Sequence, residues 1–267
     1  MIQKLFSSII MALRHRNLLF SFITSEIKGR FAGTMAGIGW ALLNPLAVIV
    51  VYMFVFSLVL RISVTVEETG SDSFFIFFAT GFVPWLVFSD ILSRSMGCLI
   101  NNAALITKVT FPVELLPVTS VLTGLFINGL AFIPLLGFLL FQGYSSGFWI
   151  CLVLVLPVQI LFSLGLGMLF SSACVFFQDL KELTSLILMV WFFSTPIIYP
   201  LSMVPDSFQK IIQANPMYMF VTLYRDILIL HRLDVKLLMI SFLVSILFYI
   251  MGNLFFARVK PGFGDVL

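Results

Sequence analysis

Carboxylates that fall inside apolar stretches are the first residues of this chain that could do chemistry. A carboxylate at the middle of a bilayer is costly and usually marks a proton or ion pathway. Asp90 and Glu114 are the nearest cases, and both fall close to the ends of their apolar stretches. We therefore interpret them as helix-end groups that pair with Arg94 or Lys108, and we predict no proton relay.

The sequence contains none of the short motifs of common catalytic sites. It has no Gly-x-x-x-x-Gly-Lys-[Ser/Thr] loop, His-Glu-x-x-His pair or Gly-x-Ser-x-Gly elbow. His15 and His231 lie in flanking segments, where a solvated side chain is the simpler interpretation. A membrane transferase would have one candidate cluster, Glu67, Glu68 and Asp72, without supporting residues. We predict no catalytic, metal or cofactor site, and ATP-driven transport would need an ATPase on another chain.

Composition places the chain in a membrane. Hydrophobic residues make up 61% of the 267 residues and charged residues only 10%, whereas about a quarter of the residues of a soluble domain are charged. A water-facing surface could not carry the 31 phenylalanines. The net charge of +3 is better explained by topology than by nucleic-acid binding, so the expected surroundings are membrane lipids.

Six apolar stretches are candidate transmembrane helices. The first, from Met35 to Leu60, carries no charged residue. The fifth has a short apolar part, Leu186 to Ile198, and ends in Thr195-Pro196 and Tyr199-Pro200, so we expect it to kink or break. The predicted spans cover residues 35–60, 74–93, 115–141, 148–175, 183–199 and 237–257.

The basic residues predict the orientation of this bundle. With both termini in the cytoplasm, ten of the 15 lysines and arginines fall inside, as the positive-inside rule favours. We predict one all-α integral membrane domain, residues 1–267, with an interfacial region 1–31, a six-span bundle 35–257 and a cytoplasmic tail 258–267. The five basic residues left outside are Arg61, Lys210, Arg225, Arg232 and Lys236.

The first 25 residues resemble a signal peptide only superficially. Apolar residues recur at helical spacing, Arg14 and Arg16 interrupt them, and no small-residue cleavage site follows. An interfacial amphipathic helix fits better, with a weakly ordered tail as the alternative. Glu26, Lys28 and Arg30 then form a charged approach to the first span.

The segment from Pro200 to Lys236 is too apolar for an ordinary extracellular loop. Pro205 is expected in the first turn of one short helix, and Asn215-Pro216 is typical of an N-cap followed by proline at the first helical position. We predict two short helices that dip back into the outer leaflet. The alternative is one helix lying on the membrane surface.

The loop between the second and third spans is amphipathic. The stretch from Asn101 to Val109 predicts a short helix parallel to the membrane, closed by Phe111-Pro112. Exposed Leu105 and Ile106 would invite a partner protein. Folding back on the bundle is the alternative that composition slightly favours.

Two backbone signals concern helix shape and packing. Asn44-Pro45 predicts a kink in the first span, because proline removes a hydrogen bond and clashes with the preceding turn. Small-residue faces at Gly33 and Gly37, and at Gly165 and Gly167, favour close helix approach, either between two subunits or within one.

Aromatic residues that could guide a sugar chain are scattered over several spans. Tryptophan and tyrosine also gather at membrane interfaces, and for each residue taken singly that anchoring is the better interpretation. The candidates are Trp40, Tyr52, Trp85, Trp191, Tyr199, Tyr218 and Tyr224.

Several segments, in order along nearly the whole chain, resemble a known family. Two are specific, because neither is a generic membrane pattern: residues 102–117 (NAALITKVTFPVELLP) and 256–267 (FARVKPGFGDVL). Others are 37–46 (GIGWALLNPL), 81–85 (GFVPW) and Asn215-Pro216. With these segments the chain resembles the permease subunit of bacterial ABC-type polysaccharide exporters, which move O-antigen, capsular polysaccharide or teichoic acid.

The resemblance implies a homodimer of six-span subunits in the bacterial inner membrane, with a pore between them. It implies two copies of a separate ATPase that bind ATP and Mg, and a lipid-linked polysaccharide as substrate. Export of a small molecule or drug by the same architecture is the alternative. The implied ATPase-coupling residues are Asn101, Asn102, Leu105, Ile106, Lys108, Phe111, Glu26, Lys28 and Arg30, and the implied pore or gate residues are Trp40, Asn44, Pro45, Tyr52, Trp85, Tyr199, Asn215, Pro216, Tyr218 and Tyr224.

Overall fold

The computed structural model describes residues 7–61, 65–66, 70–108 and 111–267. Within these ranges the chain is helical or irregular, and no described residue lies in a strand. The predicted all-α class is confirmed. The sequence expectations for Glu67, Glu68, Val109 and the first six residues lie outside the described residues.

Two helices precede the first span. Helix α1 covers Ser7–Arg14 and α2 covers Arg16–Phe31. Gly33 and Gly37 follow with positive φ angles of 74° and 53°, which side chains rarely adopt. These two glycines therefore serve a turn, and an added Cβ at either one would meet no atom within 4 Å.

Five helices are long and apolar enough to cross a bilayer, in the part of the chain described here. The first contains α3, Trp40–Met53, and a following π-helical turn, Phe54–Val59. Pro45 lies inside α3, and the kink expected there stays a prediction. The five long helices are Gly37–Val59, Phe74–Cys98 (α4), Leu115–Phe141, Gly147–Phe176 and Val235–Val266.

Short helices link and complete these spans. Helix α5, Ala103–Lys108, lies between the second and third spans. The third consists of α6, Leu115–Gly129, and α7, Phe132–Phe141. The fourth contains α8, Leu152–Phe176, and is followed by α9, Asp179–Glu182.

The fifth predicted span does not form a helix of bilayer length. Helix α10, Thr184–Phe193, has 10 residues and is about 15 Å long at 1.5 Å per residue. This early end agrees with the break expected from Pro196 and Pro200. Helices α11, Asp206–Gln213, and α12, Pro216–Leu228, come next, and α13, Val235–Val259, and α14, Phe263–Val266, complete the chain.

The second span is the centre of the bundle. In its most apolar stretch 78% of the residues are buried, against 11% in the first span. Helix α4 contacts α6, α8 and α12, whereas α3 contacts the bundle along the narrow stripe Ala41, Pro45 and Ile49. The first span is therefore the most exposed of the five candidate spans in the isolated subunit.

The small-residue face of α8 serves packing within the subunit. A Cβ on Gly165 would lie 2.5 Å from the backbone of Phe248 and Tyr249, and a Cβ on Gly252 would overlap the Gly165 carbonyl. A Cβ on Gly167 would lie 2.7 Å from the side-chain oxygen of Ser95 in α4. Of the two alternatives for these glycines, the structure supports contact between helices of one subunit.

Candidate functional site

An ionic cluster fastens α2 to the bundle at one end, which we call the N-terminal face. Arg30 Nη1 lies 3.3 Å from Asp90 Oδ1, and Arg94 Nε donates to Asp90 Oδ2 at 2.5 Å. Arg94 also donates to Glu26 Oε1 at 3.1 Å, and Thr123 of α6 donates to Glu26 Oε2 at 3.1 Å. The predicted Asp90–Arg94 pair is confirmed, and α2 is clamped across two spans.

This clamp uses two of the three charged candidates of the approach segment. Glu26 and Arg30 direct their charged groups at their own subunit, whereas Lys28 is exposed. Burial raises the pKa of Glu26 above its ordinary value, although the hydrogen bond from Thr123 and the charge of Arg30 oppose the shift. Of the three, Lys28 is the exposed side chain that forms no ion pair among the described residues.

A polar cavity of about 390 Å³ opens between α2, the end of α4 and the start of α6. Its wall carries the Glu26–Arg94 pair and the first residues of the loop that leads to α5. Water or small polar groups can therefore reach the ionic cluster. The polar lining residues are Ser25, Glu26, Arg94, Asn101, Asn102, Thr119 and Ser120.

The predicted amphipathic loop forms a 3₁₀ turn, Ile100–Asn102, and helix α5. Asn101 is exposed and accepts a hydrogen bond from Lys181 Nζ at 3.2 Å, which ties the loop to α9. Asn102 donates to the Cys98 carbonyl at 2.8 Å. This segment is fixed to the ends of two spans.

The apolar residues of α5 are only half-buried. Leu105 and Ile106 are both intermediate in exposure, and Ile106 packs at the edge of an apolar cluster of the bundle. Lys108 is exposed, and Phe111 packs its ring 5.2 Å from that of Phe22 in α2. Helix α5 thus presents a polar edge with Lys108 outward while its apolar side faces the bundle.

At the opposite face, Asn215 joins the end of α10 to the start of α12. Its Oδ1 accepts from the Met217 amide at 3.0 Å and from Trp191 Nε1 at 2.8 Å. Its Nδ2 donates to Thr195 Oγ1 at 2.9 Å. The predicted N-cap is confirmed, with Pro216 as the first residue of α12.

Arg225 of α12 donates hydrogen bonds to the backbone carbonyls that follow the end of α10. Its Nη1 donates to the Pro196 carbonyl at 2.8 Å, and its Nη2 donates to the carbonyls of Ile197 at 3.0 Å and Phe77 at 3.1 Å. The guanidinium carbon lies 3.7 Å from the centroid of the Phe77 ring. Arg225 therefore locks α12, the end of α10 and the second span together.

Tyr224 of α12 lies in the middle of the bundle. It is fully buried, and its hydroxyl donates to Gln159 Oε1 at 2.8 Å. Gln159 in turn donates to the Pro84 carbonyl at 2.8 Å. Since Gln159 is twelve residues into the fourth span, about 18 Å along a helix, α12 reaches well below the end of that span.

The remaining gate candidates divide by exposure. Trp40 and Asn44 are exposed on the first span, and Asn44 has no hydrogen-bond partner among the described residues. Tyr52 stacks on Phe78 at 5.1 Å, and Trp85 is buried. The half-buried pair lies at the opposite face: Tyr199, which donates to the Phe193 carbonyl at 2.7 Å, and Tyr218.

Comparison with known proteins identifies the family. Residues 17–229 match the model of the ABC-2 type transporter family. The chain belongs to the ABC-2 type transporters. It is therefore a multi-pass membrane permease rather than an enzyme, and the transport ATPase of such a system is a separate subunit.

The relatives of this transporter have similar lengths. It is 32% identical to the O-antigen export system permease protein RfbA of Myxococcus xanthus, over 94% of this chain and 96% of that protein. It is 29% identical to the RfbA protein of Klebsiella pneumoniae, over 94% and 95%. The polysialic acid transport protein KpsM of Escherichia coli is 25% identical over 75% of this chain and 77% of its own.

Three structural contacts of the transporter were not predicted from its sequence. Glu114 pairs with Lys260 at 2.7 Å, so the expected Lys108 partner is wrong. The Gln159–Tyr224 hydrogen bond joins residues 65 positions apart. The hydrogen bond from Arg225 to the Pro196 carbonyl lies at the helix break after α10. The one available signal was an arginine in an otherwise apolar segment.

Proposed function

We propose that this permease exports a lipid-linked polysaccharide from the cytoplasmic leaflet across the bacterial inner membrane. The observation that carries the proposal is the similarity over 94% of the chain to two O-antigen export permeases. The similarity to a polysialic acid transport protein points to the same substrate class. These relatives favour polysaccharide over a small molecule or drug.

The energy for export would come from two copies of an ABC ATPase that bind ATP and Mg. The N-terminal face offers the docking region, because α5, Lys28 of α2 and Lys181 of α9 lie there together. On this proposal the exposed edge of α5, with Asn101 and Lys108, touches the ATPase directly. Glu26 and Arg30 would hold α2 in place instead.

Six crossings with both termini in the cytoplasm account best for the contacts at the N-terminal face. The α2 clamp, the Lys181–Asn101 bond and the Lys260–Glu114 pair gather four separate segments there. Since the first four spans return the chain to this face, it must cross once more before the last span. Helix α10 and the buried residues 195–198 would make that crossing.

Helices α11 and α12 would be the re-entrant pair. The depth of Tyr224 and the Arg225 lock support this assignment, because non-helical backbone at membrane depth must be buried in protein. Helix α11 carries exposed Phe208 and Ile211, which suits an interfacial position. The two helices would close the outer end of the pore.

A homodimer with its pore between subunits would cover the first span. Exposed Trp40 and Asn44 lie on one side of this span, while Ala41 and Pro45 face the bundle. An amide without a partner in hydrocarbon costs about 2–7 kcal/mol. A polar pore or a second subunit would relieve that cost at Asn44.

The proposal is tested by deleting the gene and following the glycan. We expect undecaprenyl-linked glycan to accumulate inside the cell and surface glycan to be lost, because synthesis continues without export. Unchanged surface glycan would refute the polysaccharide substrate and favour small-molecule export. Complementation with the wild-type gene is the control for expression.

Coupling through α5 is tested with Lys108→Glu. We expect this variant to insert normally but to lose copurification with the ATPase, since it reverses the exposed charge of α5. Lys210→Glu on α11 is the matched control, because Lys210 is exposed at the opposite face. Equal copurification of the two variants would argue against α5 as the coupling helix.

A further inference from the structure

The segment after α13 folds as a defined unit that the proposed function does not use. Helix α13 ends at Val259, a 3₁₀ turn covers Lys260–Gly262, and α14 follows. We call residues 260–266 the tail segment. It packs beside α5 and the end of α8.

An ion pair anchors the start of the tail segment. Lys260 Nζ lies 2.7 Å from Oε1 of Glu114, whose side chain is only 10% exposed. The other carboxylate oxygen, Oε2, is buried without a hydrogen-bond partner in the described residues. Lys260 therefore supplies the compensating charge for a nearly buried carboxylate at the start of α6, directly after the α5 loop.

An aromatic contact anchors the end of the tail segment. Phe263 is 1% exposed, and its ring centroid lies 6.1 Å from that of Phe176 and 5.4 Å from that of Phe256. Phe176 ends the fourth span, and Phe256 belongs to the last span. The apolar cluster that contains Phe263 also includes Ile106 of α5 at its edge.

We propose that the tail segment is a brace that passes movement of α5 to the inner ends of the fourth and last spans. This inference rests on the proposed coupling of α5 to the ATPase. Packed side chains and ion pairs with defined arrangements can pass displacement from one element to another. The tail segment supplies both kinds of contact, and Lys260 and Phe263 are its positioning residues.

The test uses the complete permease–ATPase complex in proteoliposomes. Lys260→Glu and Glu114→Lys should each keep ATPase copurification and ATP hydrolysis, because α5 itself is unchanged. Glycan exported per ATP should fall about 10-fold, within the usual range of coupling between sites. The double variant should restore export, since the reversed charges re-form the pair.

Arg258→Glu is the matched control for charge. Arg258 is exposed two residues earlier and forms no ion pair among the described residues, so its export per ATP should stay near wild type. Lys260→Gln is the milder variant if Lys260→Glu does not accumulate, and it should give a smaller fall. A double variant as impaired as either single one would overturn the brace.

Two further outcomes would also count against the brace. Lys260→Glu that performs like Arg258→Glu would show that the ion pair has no role in coupling. Loss of ATPase copurification in Lys260→Glu would show that the segment serves docking instead. If the wild-type complex exports no glycan at all, the proposed function fails, which is a distinguishable result.

Discussion

Arg225 shows how one residue can replace a missing stretch of helix. Its guanidinium supplies donors to three carbonyls from two segments, Phe77 and the Pro196–Ile197 break. A lysine has no planar fork and cannot reach them all. The geometry at the opposite face therefore depends on the chemistry of this side chain as well as on its charge.

We predict that Arg225→Lys lowers stability by about 1–3 kcal/mol, the cost of leaving a buried acceptor unsatisfied. Thermal unfolding of the detergent-solubilised protein measures the effect. Arg258→Lys is the control, because Arg258 is exposed and forms no ion pair among the described residues, so it should tolerate the change. Equal melting temperatures for the two variants would contradict the lock.

Glu26 makes the attachment of α2 sensitive to pH. Burial raises its pKa above the ordinary value of 4.5, so the folded state binds this proton more tightly than the unfolded state. The stability that protonation of Glu26 contributes is fully present below pH 4.5, and it is lost as the pH rises through the raised pKa. Substitution of Glu26 by a residue that does not titrate removes this contribution to the pH dependence of stability.

We therefore predict that Glu26→Gln flattens the pH profile of stability. The variant does not titrate at this position, so its stability relative to the wild type rises as the pH rises above 4.5. Thermal unfolding of both proteins across a pH series measures the difference. A difference that stays the same at every pH would contradict the assignment of Glu26.

Among the elements, α8 and α13 form the closest helix pair. The backbone of Gly165 meets the backbone of residues 248 and 249, and Gly252 lies against the Gly165 carbonyl. Small residues at such a contact allow the helices to approach closely in a membrane. The last span packs directly against the fourth at this contact.

Gly252→Ala is predicted to lower stability by about 1–3 kcal/mol, because overpacking shifts the backbones apart. Gly137→Ala is the control, since a Cβ there meets no atom within 4 Å. Melting temperatures in detergent distinguish the two. If both variants melt like the wild type, the close approach is not important for stability.

Local signals predicted these elements better than they predicted contacts between them. Asn215-Pro216 and the i,i+4 pair Asp90–Arg94 follow from short-range rules, and both appear as expected. The Glu114–Lys260 pair joins residues 146 positions apart. Such a contact depends on how the spans pack, which hydrophobic periodicity does not encode. The fifth span was ambiguous for the same reason, since prolines mark a break but not where the chain goes next.

The whole molecule has an unequal distribution of buried surface. The second span is almost enclosed, whereas the first span exposes large apolar residues such as Val50, Val51 and Phe54. Lipid or a second subunit can cover such a surface. The proposed dimer requires that the second subunit covers part of it.

We predict that Val51→Asn weakens the dimer, because an amide there would be buried against the second subunit. Native mass spectrometry of the permease–ATPase complex should give two copies of each wild-type subunit and a loss of that species in the variant. Val153→Asn on the fourth span is the control, with 67% exposure against 60% for Val51. Equal loss in both variants, or one permease per wild-type complex, would contradict a dimer through the first span.

In the proposed mechanism of export, the N-terminal face docks on an ATPase and the opposite face forms the exit of the pore. The most direct measurement follows lipid-linked glycan in inside-out membrane vesicles that contain the permease and its ATPase. We predict that glycan becomes protected in the vesicle lumen only when ATP is added, and that Lys108→Glu abolishes this uptake. Uptake without ATP, or none with ATP in wild-type vesicles, would contradict ATP-driven polysaccharide export.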